Sequence, residues 1–137
     1  MRVGGQFSKR LWLGARSIRD FARAAGDLNP VHHDRDYARS TRFGDLIASG
    51  AQLSSLMMGL TAAKISEQSP MLGLDFRFRF RRAVKADTFV TIWWQVVAQR
   101  PSTALGGDVL FLAGRMETSA GDAAVKAVGK VLLVDRL

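Results

Sequence analysis

Between Leu72 and Arg81 apolar and polar residues alternate without a break. Leu72, Leu74, Phe76, Phe78 and Phe80 fall on one phase, and Gly73, Asp75, Arg77, Arg79 and Arg81 on the other. A period of two predicts a strand with one buried face, here carrying all five apolar side chains. Asp87 to Gln99 is rich in Val, Ile, Thr, Phe and Trp, and Asp108 to Ser119 and Ala123 to Val134 are similar. Gly106-Gly107 and Gly121-Asp122 supply turns between them. Four long strands in succession predict an antiparallel sheet joined by tight turns. Trp93 and Trp94 are consecutive, so they face opposite ways, one into the core and the other toward a dimer interface.

The first half follows a helical rhythm. Ser17 has the chemistry of an N-cap, with Asp20 three residues on, and Ile18, Phe21, Ala22 and Ala25 recur at helical spacing. This predicts a short helix from Ile18 to Ala25, stopped at Gly26. Asp34 to Arg39 suits one or two helical turns. Ala51 to Ala63 has no charged residue before Lys64, which predicts a helix buried nearly all round. Its small residues would let a sheet wrap closely around it. Phe7, Leu11, Trp12 and Leu13 mark an extended N-terminal segment packed on the same body. The reading is an α+β fold, one domain over residues 1–137, with the sheet curved around the 51–63 helix.

Composition narrows the setting. With no cysteine among 137 residues, disulfides, thiolate catalysis and Cys-based metal sites are excluded. This fits a reducing compartment, so a cytoplasmic location is expected. No apolar run reaches the roughly 18 residues of a membrane-spanning helix, and Met1 to Gly14 lacks the apolar core of a secretory leader. The net charge of +8 favours anionic partners: nucleic acid, acidic proteins, phosphorylated cofactors or anionic lipid.

The candidate chemistry lies in Gly26-Asp27-Leu28-Asn29-Pro30-Val31-His32. Gly26 permits left-handed angles, and Pro30 drives Asn29 out of helical geometry. A rigid bend should follow the first helix and carry Asp27 and His32 toward one point, with Asn29 fixing the bend. Asp27 alone would read as a turn carboxylate bonded to its own backbone. In register with Gly26, Asn29, Pro30 and His32 it reads as half of an acid–base pair.

This string resembles the hydratase-2 signature of the MaoC-like family. The likeness continues through Thr41-Arg42-Phe43-Gly44 and Ile47-Ala48-Ser49-Gly50. The resemblance implies a hot-dog fold, paired as a homodimer. It implies Asp27 and His32 as the catalytic dyad, and Gly50 as the backbone donor that polarises a thioester carbonyl. Two positions depart from the pattern: Ser49 stands where the family often has His, and Met58 where some hydratases have Ser. The implied activity, within fatty acid metabolism, is reversible syn hydration of a trans-2-enoyl-CoA, or the carrier-protein equivalent, to an (R)-3-hydroxyacyl thioester. No cofactor is needed beyond the substrate's own coenzyme A or acyl carrier protein arm. Two alternatives share the fold: an acyl-CoA thioesterase, and a non-catalytic acyl-CoA-binding or partner subunit.

That reaction needs a base for water, an acid for C2 and a donor for the developing oxyanion. An imidazole exchanges protons near neutral pH, and a carboxylate can hold the same water. Ser49 and Gly50 fall at the start of the central helix, where free N–H groups suit an oxyanion. Leu53, Met57 and Met58 are core candidates that also lie where an acyl chain would run. Arg77 and Arg79, with Arg81 and Arg82, form a basic strip expected to meet carrier phosphates or an acidic carrier protein. The phenylalanines opposite them point inward, which argues against nucleic acid, since base stacking needs exposed aromatics. His32 and His33 are adjacent and no distant histidine exists, so no metal site is expected.

Overall fold

The computed structural model describes residues 1–137. In chain order the elements are β1 (Gln6–Leu13), α1 (Ala15–Ala24), a 3-10 turn (Pro30–His32), α2 (Arg35–Arg39), α3 (Gly50–Ile65), β2 (Met71–Phe80), β3 (Thr88–Ser102), β4 (Gly107–Thr118) and β5 (Ala123–Leu133). The five strands form one antiparallel sheet in the order β1-β3-β4-β5-β2. Its inner face packs on α3, which is the hot-dog arrangement. Only β3, β4 and β5 follow one another by tight turns. β2 pairs with β5, so the 81–87 connection crosses from one edge of the sheet toward the other. The expectation of four hairpin-linked strands is corrected there. Gly106 and Gly121 adopt φ of 73° and 86° in the two tight turns, a region that favours glycine.

The inner face is built from Val90, Ile92, Trp94 and Val96 of β3, Leu110, Leu112 and Met116 of β4, and Val125, Ala127 and Val131 of β5, all buried. Leu53, Met57, Leu60 and Ile65 of α3 meet them. Trp94 donates its indole N–H to the Met57 carbonyl at 3.0 Å, fixing helix to sheet. The Trp94 ring lies flat on Gly114, where a Cβ would come within 2.5 Å. Phe76 likewise covers Gly129, again at 2.5 Å. Trp93 takes the outer face, beneath the Arg115 guanidinium.

Three sequence expectations shift. First, β2 is not a continuous period-two strand. A bulge between Gly73 and Asp75 inserts one residue and reverses the phase. Phe76, Phe78 and Phe80 therefore face α3, while Leu72 and Leu74 stay exposed. Second, α3 is not buried all round. The sheet covers one side only, and Ala51, Ser55, Met58, Gly59, Ala62 and Ala63 are open to solvent. Third, α1 begins at Ala15, ahead of Ser17. Its first N–H is taken by Asp87 Oδ1 at 3.1 Å, and Ser17 instead accepts from Gln52 Nε2 at 3.0 Å.

Candidate active site

The site begins where α1 ends. Gly26 has φ of 75°; its N–H donates to the Arg23 carbonyl at 3.0 Å, and the Asp27 N–H to the Ala22 carbonyl at 2.8 Å. This pair of bonds closes the helix as a Schellman motif and delivers Asp27 at a defined point. Asp27 Oδ1 then accepts from the Asn29 N–H at 3.1 Å. The Asn29 amide oxygen accepts from Val31 N–H at 3.3 Å, capping the 3-10 turn with Pro30 at its start. Thus one carboxylate oxygen is committed to the bend and the other is left free.

That free oxygen, Oδ2, lies 3.3 Å from His32 Nε2. The other ring nitrogen, Nδ1, is 2.8 Å from the Ile47 carbonyl. A carbonyl only accepts, so Nδ1 carries hydrogen and Nε2 is the nitrogen that exchanges protons beside Asp27. The His32 side chain is 8% exposed and that of Asp27 37%. The imidazole is therefore held in the wall while the carboxylate meets solvent. Val31 and Ile47 are also joined through their backbones at 3.2 Å, so the loop carrying the carbonyl is tied to the turn carrying the ring.

His32 and Gly50 line one open cavity of about 960 Å³, together with Leu53, Phe80 and the 81–85 segment. Ser49 caps α3: its hydroxyl accepts from Gln52 N–H at 3.2 Å, and its carbonyl from Leu53 N–H at 3.2 Å. The N–H groups of Gly50 and Ala51 precede the helix's own ladder and have no acceptor from it or its cap. The Phe80 ring rests on Gly50, 3.1–3.3 Å from where a Cβ would stand. An imidazole 3.3 Å from a carboxylate oxygen and a helix N-terminus thus meet at one end of the hot dog, where His32 and Gly50 line a cavity of mixed polar and apolar walls.

Of the residues singled out from the sequence, the structure brings together Asp27 with His32, and His32, Gly50 and Leu53 around the cavity. Ser49 is buried as the cap. Met57 is fully buried against the sheet, and Met58, 41% exposed, lies on the open side of α3; neither lines the cavity. Arg77 and Arg79 project from the outer face of β2, paired with Val128 and Lys126 of β5, because Phe76, Phe78 and Phe80 occupy the inner one. The cavity's cations are Arg42, Arg81, Arg82 and Lys85 instead. The Ile47 carbonyl has no sequence signal, since any residue supplies one. His33, adjacent to the dyad, is also engaged: its Nε2 is 2.7 Å from the Asp27 carbonyl.

A brace stands behind the site. Arg35 bonds Asp45 through Nε and Asp87 through Nη2, both at 3.1 Å, tying α2 to the loop before Ile47 and to the β2–β3 connection. Burial pushes the Asp45 carboxyl up. The Leu46 N–H and the guanidinium of Arg35 outweigh it and hold the group below the ordinary carboxylate range. Asp87 adopts φ of 61°, a left-handed position that Asp tolerates better than most residues.

Fold and site together define a hot-dog protein with an Asp–His pair at the head of its helix. The chain belongs to the MaoC-like dehydratase family: the MaoC like domain matches residues 6–106. The (R)-specific enoyl-CoA hydratase of Aeromonas caviae is 31% identical over 131 residues, covering 93% of this chain and 90% of that protein. A UPF0336 protein of Streptomyces avermitilis is 30% identical over 128 residues, 88% of this chain and 83% of the relative. Among solved structures, the (R)-hydratase of A. caviae superposes with a TM-score of 0.88 at 28% identity, covering 97% of both chains. R-hydratase PhaJ1 of Pseudomonas aeruginosa gives 0.86 at 25% identity, covering 99% of this chain and 84% of the other.

Proposed function

We propose that the protein is an acyl-thioester hydratase/dehydratase that interconverts a trans-2-enoyl and an (R)-3-hydroxyacyl thioester by syn addition of water. The observation that carries the reading is the His32 Nε2–Asp27 Oδ2 approach at 3.3 Å, with Nδ1 locked on Ile47. One water held by Nε2 and Oδ2 loses a proton to Nε2 as its oxygen adds to C3. The imidazolium returns a proton to C2 from the same side, so the water's two hydrogens and oxygen are all accounted for. The thioester oxygen, gaining enolate charge meanwhile, is met by the Gly50 N–H at the positive end of α3; losing one such donor typically costs about 3–4 kcal/mol of barrier. No cofactor enters beyond the carrier arm of the substrate.

The protein acts as a homodimer in this reading. The outer edge of β2 is unpaired, and the open side of α3 offers small and apolar residues that a second copy would cover.

Crotonyl-CoA tests the chemistry. Loss of enoyl absorbance without free thiol supports hydration. Release of thiol would make the protein a thioesterase, and binding without either change would make it a non-catalytic acyl-CoA-binding subunit.

A further inference from the structure

The proposed reaction makes no use of the outer face of the sheet, yet that face carries an uncompensated row of charge. Arg79 of β2, Lys126 of β5 and Arg115 of β4 stand directly opposite one another across adjacent strands, and Trp93 of β3 is next in the row. Like charges at facing positions destabilise a sheet. Two such pairs share Lys126 here, and all three cations are exposed. Neither Arg79 nor Lys126 has a carboxylate within ion-pair distance. Arg115 gives its Nε to Glu117 at 2.6 Å, which orients the guanidinium and leaves its terminal nitrogens without a hydrogen bond.

The row borders a depression. Ala113 stands between Phe111 and Arg115 on the outer side of β4, and its small side chain leaves a hollow of about 170 Å³. Gln6, Trp93, Gln95, Arg115 and Lys126 wall it, and no acidic residue lines it. Its two charged groups only donate hydrogen bonds, and the glutamine amides can donate as well. The Trp93 N–H is buried and has no acceptor, although buried donors are nearly always paired. The Arg115 guanidinium covers the same ring, 5.2 Å from its centroid. A surplus of positive charge, a hollow walled by donors and an orphaned N–H therefore coincide.

We propose that this hollow is a second binding site, which takes the phosphoryl group of a small soluble phosphomonoester. Neighbouring cations in the row are about 5 Å apart, so the three span roughly 10 Å. A carboxylate, with one charge and two oxygens, leaves part of that row unanswered. A phosphomonoester brings close to two negative charges and three acceptor oxygens. It lies against Lys126, with Arg115 and Arg79 closing on it from either side. Arg115 meets the anion by leaving the Trp93 ring, and the anion supplies the acceptor that the indole N–H lacks. None of these residues lines the catalytic cavity, so the site stands apart from the thioester reading. The Arg79 end of the basic strip gains a role on the face where the structure puts it.

The test titrates the protein with glycerol 3-phosphate at constant ionic strength, read by calorimetry and tryptophan fluorescence, with acetate as the control anion. Saturable binding at least about tenfold tighter than that of acetate is expected. Lys126→Glu and Arg115→Gln should each weaken it by about tenfold. Trp93→Phe should weaken it by about threefold and remove the fluorescence change. The Arg115→Gln arm keeps the test decisive if the charge reversal does not fold. Absence of saturation, or equal affinity in wild type and Lys126→Glu, would overturn the inference. So would binding that is lost in Arg81→Glu but kept in Lys126→Glu, which would put the anion at the catalytic cavity. A rise in KM for crotonyl-CoA in Lys126→Glu would assign the phosphate to the thioester's own carrier and count against a second site. Binding to phosphatidylcholine–phosphatidic acid vesicles with none to the soluble probe would make the face a membrane surface and likewise overturn it.

Discussion

His33 Nε2 lies 2.7 Å from the main-chain carbonyl of Asp27, so the histidine next to the dyad holds the carboxylate's own backbone. Its carbonyl in turn accepts from Arg19 Nε at 3.0 Å. The second histidine is thus a strut between the bend and α1. Replacing it with Ala should loosen Asp27 and lower kcat by about tenfold with little change in KM, since a misplacement of an ångström can cost that much or more. His33→Gln, which can still donate to a carbonyl, should recover part of the loss. Equal defects in both variants, tracking a fall in Tm, would reduce His33 to a stability residue.

The dyad is the harsher case. Asp27→Asn and His32→Ala should each lower hydration by about two orders of magnitude or more while circular dichroism stays native. Near-wild-type turnover of crotonyl-CoA by either purified variant would remove that residue from the chemistry.

Gly129 and Gly114 are floors for aromatic rings. Gly129→Ala puts a methyl 2.5 Å from the Phe76 ring and should cost about 1–3 kcal/mol in chemical denaturation, in the range of core overpacking. Pairing it with Phe76→Leu should restore part of the loss. No recovery would mean that the ring is not what the methyl strikes.

Asp45 gives a pH dependence of defined sign. Its carboxyl is held below its unfolded value, so its contribution is fully present above the ordinary carboxylate pKa of about 3.9 and fades as pH falls through the lowered one. Asp45→Asn should therefore lower Tm at neutral pH, and the gap to wild type should close in acid. Because the carboxylate is 37% exposed, solvent screening keeps the effect small. A gap that widened on acidification would contradict the brace.

The open side of α3 predicts association. Sedimentation should give a dimer, and Ala62→Arg or Gly59→Arg should shift it toward monomer without unfolding the chain. Unaltered dimers in both variants would move the interface elsewhere.

The bend was legible in the sequence because each of its bonds is local. Gly26 closes α1, Asp27 and Asn29 accept from N–H groups two residues on, and Pro30 starts the turn, so seven consecutive letters encode it. The core strands were legible because period two survives wherever the ladder is regular. What escaped has tertiary causes. The bulge at Leu74 is a property of pairing with β5, and it turned Leu72 and Leu74 outward. The side of α3 left uncovered depends on where the sheet ends. The cations of the cavity come from residues 42 and 81–85, which only the crossing after β2 brings together. Nothing in the letters distinguishes Ile47's carbonyl from any other.

That carbonyl has one more effect. With its far nitrogen permanently occupied, the ring of His32 cannot pass a proton through to the protein interior; it is a dead end with a single door. In the proposed reaction, whatever hydrogen it collected from the cavity would leave by the way it came, so the site would recharge from the cavity side alone, with no relay through the fold.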